Sequence, residues 1–196
     1  MSHEVSERAR ADVLRNRVAI LDAAAEVLGE DPSASLAHVA QRAGLGRATL
    51  YRHFPSRESL SAALREEALA RAESALADAD LDRGSAREAV RRAVEGLIPL
   101  GTRFQVILAE GAEQDPGFLA RRDTVLSPLL DVVQRGQRAG EIVPDVPPPW
   151  VLATVASLMV NAVRAVAGGT VEPQPAVDLV CRSLFDGLAA DGRRTS

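Results

Sequence analysis

Between positions 41 and 57 the chain carries four arginines, Arg42, Arg47, Arg52 and Arg57, and no acid. Thr49, Tyr51 and His53 stand among them and add hydrogen-bonding groups. Arginine supplies charge for a phosphate and a planar fork that matches a guanine edge. The pattern suits a polyanion better than a reaction centre. Catalytic chemistry is scarce elsewhere. The three histidines, His3, His38 and His53, all precede residue 54, so the rest of the chain has none for a triad or a metal. The single cysteine, Cys181, excludes an internal disulfide and a cysteine-based zinc site. Glu110 and Glu113, three apart on an expected helix, have the spacing of a solvated face. Gly44 and Gly46 belong to a turn and not to a phosphate loop. No enzyme activity, cofactor or metal is expected.

The basic residues need a rigid support, and the flanking pattern provides one. Residues 35–43 predict a short helix: Ser35 can cap it, and Leu36, Val39, Ala40 and Ala43 recur at helical spacing. Gly44 supplies the positive φ that ends it, and Leu45 plugs the gap. Gly46 opens a second helix over 47–53, with Leu50 and Phe54 inward. Two short helices joined by a glycine-containing turn make a helix-turn-helix, whose second helix enters the DNA major groove. A helix over about 12–29, with Leu14, Val18, Leu21, Ala24, Ala25 and Leu28 on one stripe, completes a three-helix unit. Residues 1–11 are expected to be a polar tail, in which Arg8 and Arg10 are diluted by Glu4 and Glu7.

All 23 basic residues are arginine, against 27 acids, for a net charge of −4. The balance is uneven: residues 1–57 carry +1 and residues 58–196 carry −5. A local basic face on an acidic body fits a DNA-binding end joined to a part with another task. Hydrophobic residues make up 46% and aromatics only 3%, with alanine abundant, which is a helical composition. The fold class is therefore all-α, with about nine helices. Beyond the first three they are expected over 57–79, 86–98 with a capping box at Ser85 and Glu88, 103–114, 118–139 with a kink at Pro128, 148–167 and 176–190. Residues 115–117 are expected as a turn. Residues 150–167 are nearly long enough to span a membrane, but Asn161 and Arg164 would be costly in lipid, so a helix buried in protein is expected. No signal peptide is visible, which points to the cytoplasm.

The run from Ala43 through Gly44, Leu45, Gly46, Arg47, Ala48, Thr49, Leu50, Tyr51, Arg52 and His53 to Phe54, followed by Ser56, Arg57, Glu58, Ser59 and Leu60, closely resembles the recognition segment of the tetracycline-repressor (TetR) family. The likeness covers about residues 14–64; the rest resembles the family in length and helical layout. It implies a DNA-binding domain over 1–56 and an effector-binding and dimerisation domain over 57–196. Arg47, one residue into the second helix, is placed to read a base, and Ala48 beside it to touch a thymine methyl. Thr49, Tyr51 and His53 correspond to family positions that mostly hold phosphates. Arg57 stands where the family usually has a lysine. Arg52 can reach bases or phosphates, and Ser35 completes the set at the first helix. Gly46 departs from the family, which commonly has Ser or Thr there, so one cap or phosphate contact is lost.

The resemblance also implies a small-molecule pocket, for which Arg103, Phe104, Ile107, Leu108, Glu110, Leu126, Leu130, Met159 and Asn161 are the candidates. The helices over 148–167 and 176–190 are too apolar for a simple two-layer domain, which marks an interface. Trp150, Leu152, Val155, Val163, Val177, Val180, Leu184 and Leu188 are its candidates, and the resemblance implies a homodimer built from these helices. The expected function is a ligand-responsive repressor on a palindromic double-stranded operator. The alternatives are a dimeric helical binding module with vestigial DNA binding, and a helical enzyme.

Overall fold

The computed structural model describes residues 2–101, 103, 106, 107 and 112–187, without the side chains of 2–6, 9 and 113. Eight α-helices and no strand occur among the described residues: α1 Ser2–Glu30, α2 Leu36–Arg42, α3 Arg47–His53, α4 Arg57–Asp78, α5 Ala86–Leu97, α6 Pro116–Arg138, α7 Pro148–Ala167 and α8 Pro173–Phe185. Short 3₁₀ turns cover Ile98–Leu100 and Ala112–Gln114. The helix expected over 103–114 falls largely outside the described residues. The chain divides into two compact units, residues 1–68 with 102–119, and residues 69–101 with 120–196.

In the first unit, α1 starts at Ser2 and not near residue 12, because no Gly or Pro interrupts the chain before Gly29. Its early turns lie outside the core: Leu14 is 63% exposed, and Val18 is exposed too. Burial begins at Ile20 and continues through Leu21, Ala24 and Leu28. These pack with Val39 and Ala40 of α2, Leu50 of α3, Phe54, and Leu60 and Leu64 of α4. Asp31 stops α1, its carboxylate accepting from the Ser33 N–H at 2.8 Å and hydroxyl at 2.6 Å. Ser56 and Ser59 cap α4 reciprocally, each N–H donating to the other's hydroxyl at 3.2 Å.

In the second unit, Ser85 and Glu88 form the expected capping box at the start of α5. Ala86, Ala89, Val90 and Val94 of α5 pack with Val132 of α6, Ala162 of α7, and Ala176, Val177, Val180 and Cys181 of α8. Gly101 lets the chain pass close to α7, since a Cβ there would sit 3.0 Å from Val163. At the start of α6, which belongs to the first unit, residues 115–117 form no separate turn. Asp115 caps α6, accepting from Gly117 N–H at 2.9 Å, and Pro116 takes the first helical position, where no N–H is needed. Pro128 lies within α6, and the helix continues through it. The Thr124 carbonyl, deprived of its usual donor by Pro128, accepts from the Ser127 hydroxyl at 2.8 Å. Pro173 likewise starts α8 earlier than residue 176.

Candidate nucleic-acid interface

The recognition helix is short, and its orientation rests on few residues. Ser35 caps α2, accepting from the His38 N–H at 3.3 Å. Gly44 adopts φ +69°, a conformation that side chains rarely take, and Leu45 N–H closes the turn on Ala40 O at 2.9 Å. Gly46 caps α3 in an extended conformation without a side-chain bond. Leu50 and Phe54 are buried and fix the inner face of α3. Spacing of four then puts Arg47 with Tyr51, and Ala48 with Arg52, on the outer side. All four are exposed, while Thr49 and His53 are half-buried.

The arginines counted together in sequence divide sharply in structure. Arg42 pairs with Glu26 of α1, its Nε donating at 2.8 Å and its Nη2 lying 2.6 Å from the carboxylate. Arg57, half-buried, donates from Nη1 to Ala34 O at 2.8 Å and from Nη2 to Pro32 O. Arg47 and Arg52 make no hydrogen bond or ion pair among the described residues. An exposed arginine not engaged within the protein is the form needed for base and phosphate contacts. His53 turns its Nε2 inward, where it finds no hydrogen-bond partner among the described residues. Its neighbour Phe54 carries the Arg17 guanidinium 5.1 Å above the ring, a link that no sequence pattern announces.

Close by, the Asp31 carboxyl is held below its usual range, first by the Ser33 hydroxyl and then by the Ser33 N–H, with the charges of His38 and Arg57 adding. Glu58, at the start of α4, is lowered chiefly by its bond with Ser56.

The other candidates fall into three groups. Phe104, Leu108, Glu110 and Leu188 lie outside the described residues. In the first unit, Ile107 is buried. Arg103, 13% exposed, is committed to Asp22 and, at 3.6 Å, to Glu67. In the second unit, Leu126, Leu130 and Met159 are half-buried and Asn161 is exposed. The fully buried side of α6 is instead Val125, Leu129, Val132 and Val133. Of the interface candidates, Val155, Val163, Val177 and Val180 are buried within their own unit. Leu152 and Leu184 are half-buried, whereas Trp150 is 69% exposed. Leu179, not among the interface candidates, is 39% exposed on α8 beside Pro175, Asp178 and Arg182. By length and composition α7 could cross a membrane, its mean hydropathy reaching 1.6. It packs along α8 and contributes Ala162 to a protein core.

A helix-turn-helix presenting two exposed arginines on its second helix is the form of a DNA-binding protein. The model of "bacterial regulatory proteins, tetR family" matches residues 20–64. Over 175 residues the chain is 33% identical to the HTH-type transcriptional repressor LfrR of Mycolicibacterium smegmatis, covering 89% of this chain and 90% of that protein. The crystal structure of LfrR from Mycobacterium smegmatis in complex with proflavine matches with a TM-score of 0.78 at 31% identity, over 90% of this chain and 97% of that one. A TetR family transcription regulator from Marinobacter aquaeolei VT8 matches with a TM-score of 0.71 at 26% identity, over 92% of this chain and 97% of that one. The chain belongs to the TetR family of bacterial transcriptional regulators.

Proposed function

We propose that this regulator is a cytoplasmic repressor that binds a palindromic operator as a homodimer and is released by a small-molecule effector. The observation that carries the DNA part is the pair Arg47 and Arg52 on α3, exposed and without side-chain partners among the described residues. Arg47 reads a base edge; Arg52 and Tyr51 hold the backbone. Two-fold symmetry would set two recognition helices about 34–36 Å apart, one turn of B-DNA. Residues 1–56 then form the DNA-reading part, and residues 57–196 sense and dimerise.

The dimer is supported by exposed Trp150 and Leu179 on α7 and α8, large apolar side chains that a second copy would cover. The effector is supported by the LfrR complex with proflavine, which makes a small organic molecule the class to test. Half-buried Leu126, Leu130 and Met159 are its candidate apolar contacts. An effector acts only through unequal affinity for the DNA-binding and released conformers.

Selection of bound fragments from the source genome tests the reading. A steep fall of affinity with salt on a palindromic fragment is expected. Absent or salt-insensitive binding by an intact dimer would leave the helical binding module as the better account. Release by a compound from a small-molecule screen would then identify the effector.

A further inference from the structure

We infer that Arg57 is a positioning residue for operator binding, a latch that ties the first turn of α4 to the loop between α1 and α2 and so fixes the set of the helix-turn-helix. Its consequence rests on the DNA-binding reading above; its geometry does not. Arg57 is the first residue of α4. Its two terminal nitrogens donate to the main-chain carbonyls of Ala34 and Pro32, more than twenty positions back in the chain. Those carbonyls lie between the end of α1 at Glu30 and the start of α2 at Leu36. The loop bearing them is already stiffened by the Asp31–Ser33 bonds and by Ser35 capping α2.

The path closes on itself. From α2 the chain turns through Gly44 into α3, then through Phe54, Pro55 and Ser56 into α4, and Arg57 returns to the residues just before α2. Phe54 is buried within this ring. A reorientation of α4 must therefore break the Arg57 bonds or carry α2 and α3 with it. The family resemblance puts a lysine at this position, a cation that a nearby phosphate would suit. Here both terminal nitrogens donate to main-chain carbonyls of the protein itself, Nη1 in a part-buried bond and Nη2 at the surface, in contrast to Arg47 and Arg52. The chemistry also separates the roles. A phosphate is served by any nearby cation, whereas a lysine ammonium offers its donors from a single atom and does not reproduce the two contacts that the guanidinium makes from separate, rigidly held nitrogens.

The test compares Arg57→Lys, Arg57→Gln and Arg57→Ala with the unaltered full chain, using the tightest genomic fragment from the selection described above. Hydrogen exchange is first followed on the DNA-free proteins. Faster exchange at amides 33–38 is expected in all three variants, including Lys, with helical content retained. On DNA, Arg57→Lys is expected to lose about tenfold in affinity, the size of a lost charged hydrogen bond. The slope of log affinity against log salt should stay at the unaltered value in all three. Lysine binding within twofold of arginine, together with a slope shallower by about 0.9 in Gln and Ala, would overturn the latch in favour of a phosphate contact. Unchanged exchange at 33–38 would overturn it equally. A failure of the unaltered protein to bind DNA would refute the DNA-binding reading alone, and the exchange arm would still decide the latch.

Discussion

What a guanidinium does on this protein depends on whether something else already holds it. Arg42 is paired with Glu26, and Arg57 with two loop carbonyls, while Arg47 and Arg52 face outward. Arg47→Ala should therefore relax base preference at one operator position, with about 1–3 kcal/mol of discrimination lost, measurable by sequencing sites selected from a randomised pool. Arg52→Ala should instead weaken every sequence alike and make the salt slope shallower by about 0.9. A shift of base preference in Arg52→Ala but not in Arg47→Ala would reverse the two roles. Gly46 makes a separate case. A Cβ there meets nothing within 4 Å, and φ is −69°, so serine fits without strain. Gly46→Ser should raise stability by a few tenths of a kcal/mol through the restored cap, read from a denaturant titration. The candidate interface was legible from sequence down to its arginines because a helix-turn-helix is written in some twenty consecutive positions. Their partners were not, because Glu26, Pro32 and Ala34 are brought near by folding and not by spacing.

At the scale of elements, caps and breakers carried most of the legible information. The capping box at Ser85 and Glu88 uses a four-residue pattern and forms as written. Substituting Ser85→Ala should cost about 1 kcal/mol, which lowers the melting temperature by about 2–4 °C in a chain of this size. An unchanged midpoint in a thermal melt would show that α5 is held by packing alone. Proline was harder to read, since it can end a helix, begin one or sit inside one. Pro116 and Pro173 begin helices, and at Pro128 the Ser127 hydroxyl occupies the freed carbonyl. Helix α1 shows the opposite limit. Its charged first turns contain no apolar stripe, so periodicity could not announce a helix that has no core to face.

For the whole molecule, two questions turn on what surrounds a side chain. The first is acid stability. Asp31, Glu58, Glu73, Glu88 and Asp186 all have carboxyls lowered by hydrogen bonds, from Ser33, Ser56, Arg121, Ser85 and Arg87 respectively. A folded value below the unfolded one means that the unfolded chain binds more protons in that window, so stability rises with pH there. These bonds should support the fold above about pH 4 and be lost as pH falls further, with their contribution flat between about pH 6 and 8. A denaturant midpoint that rose on acidification below pH 4 would contradict this. The second question is which apolar residues the proposed second copy would cover. Val177, Val180 and Leu184 recur at helical spacing along α8, but a period tells only that a face is covered and not by what. Val177 and Val180 pack into their own unit, and Leu184 is half-buried against the same core, whereas Leu179 projects outward. Leu184→Asp should therefore cost stability in the protomer itself, because it places a charge beside a core. Leu179→Asp should retain the helical signal and shift the sedimenting species from dimer to monomer, with a melting temperature that no longer depends on protein concentration. Operator binding should fall with it, because each half-site would then be held singly. A Leu179→Asp protein that sediments as a dimer at micromolar concentration would move the interface off this face of α8, while loss of helical signal in that variant would show Leu179 to be part of the core.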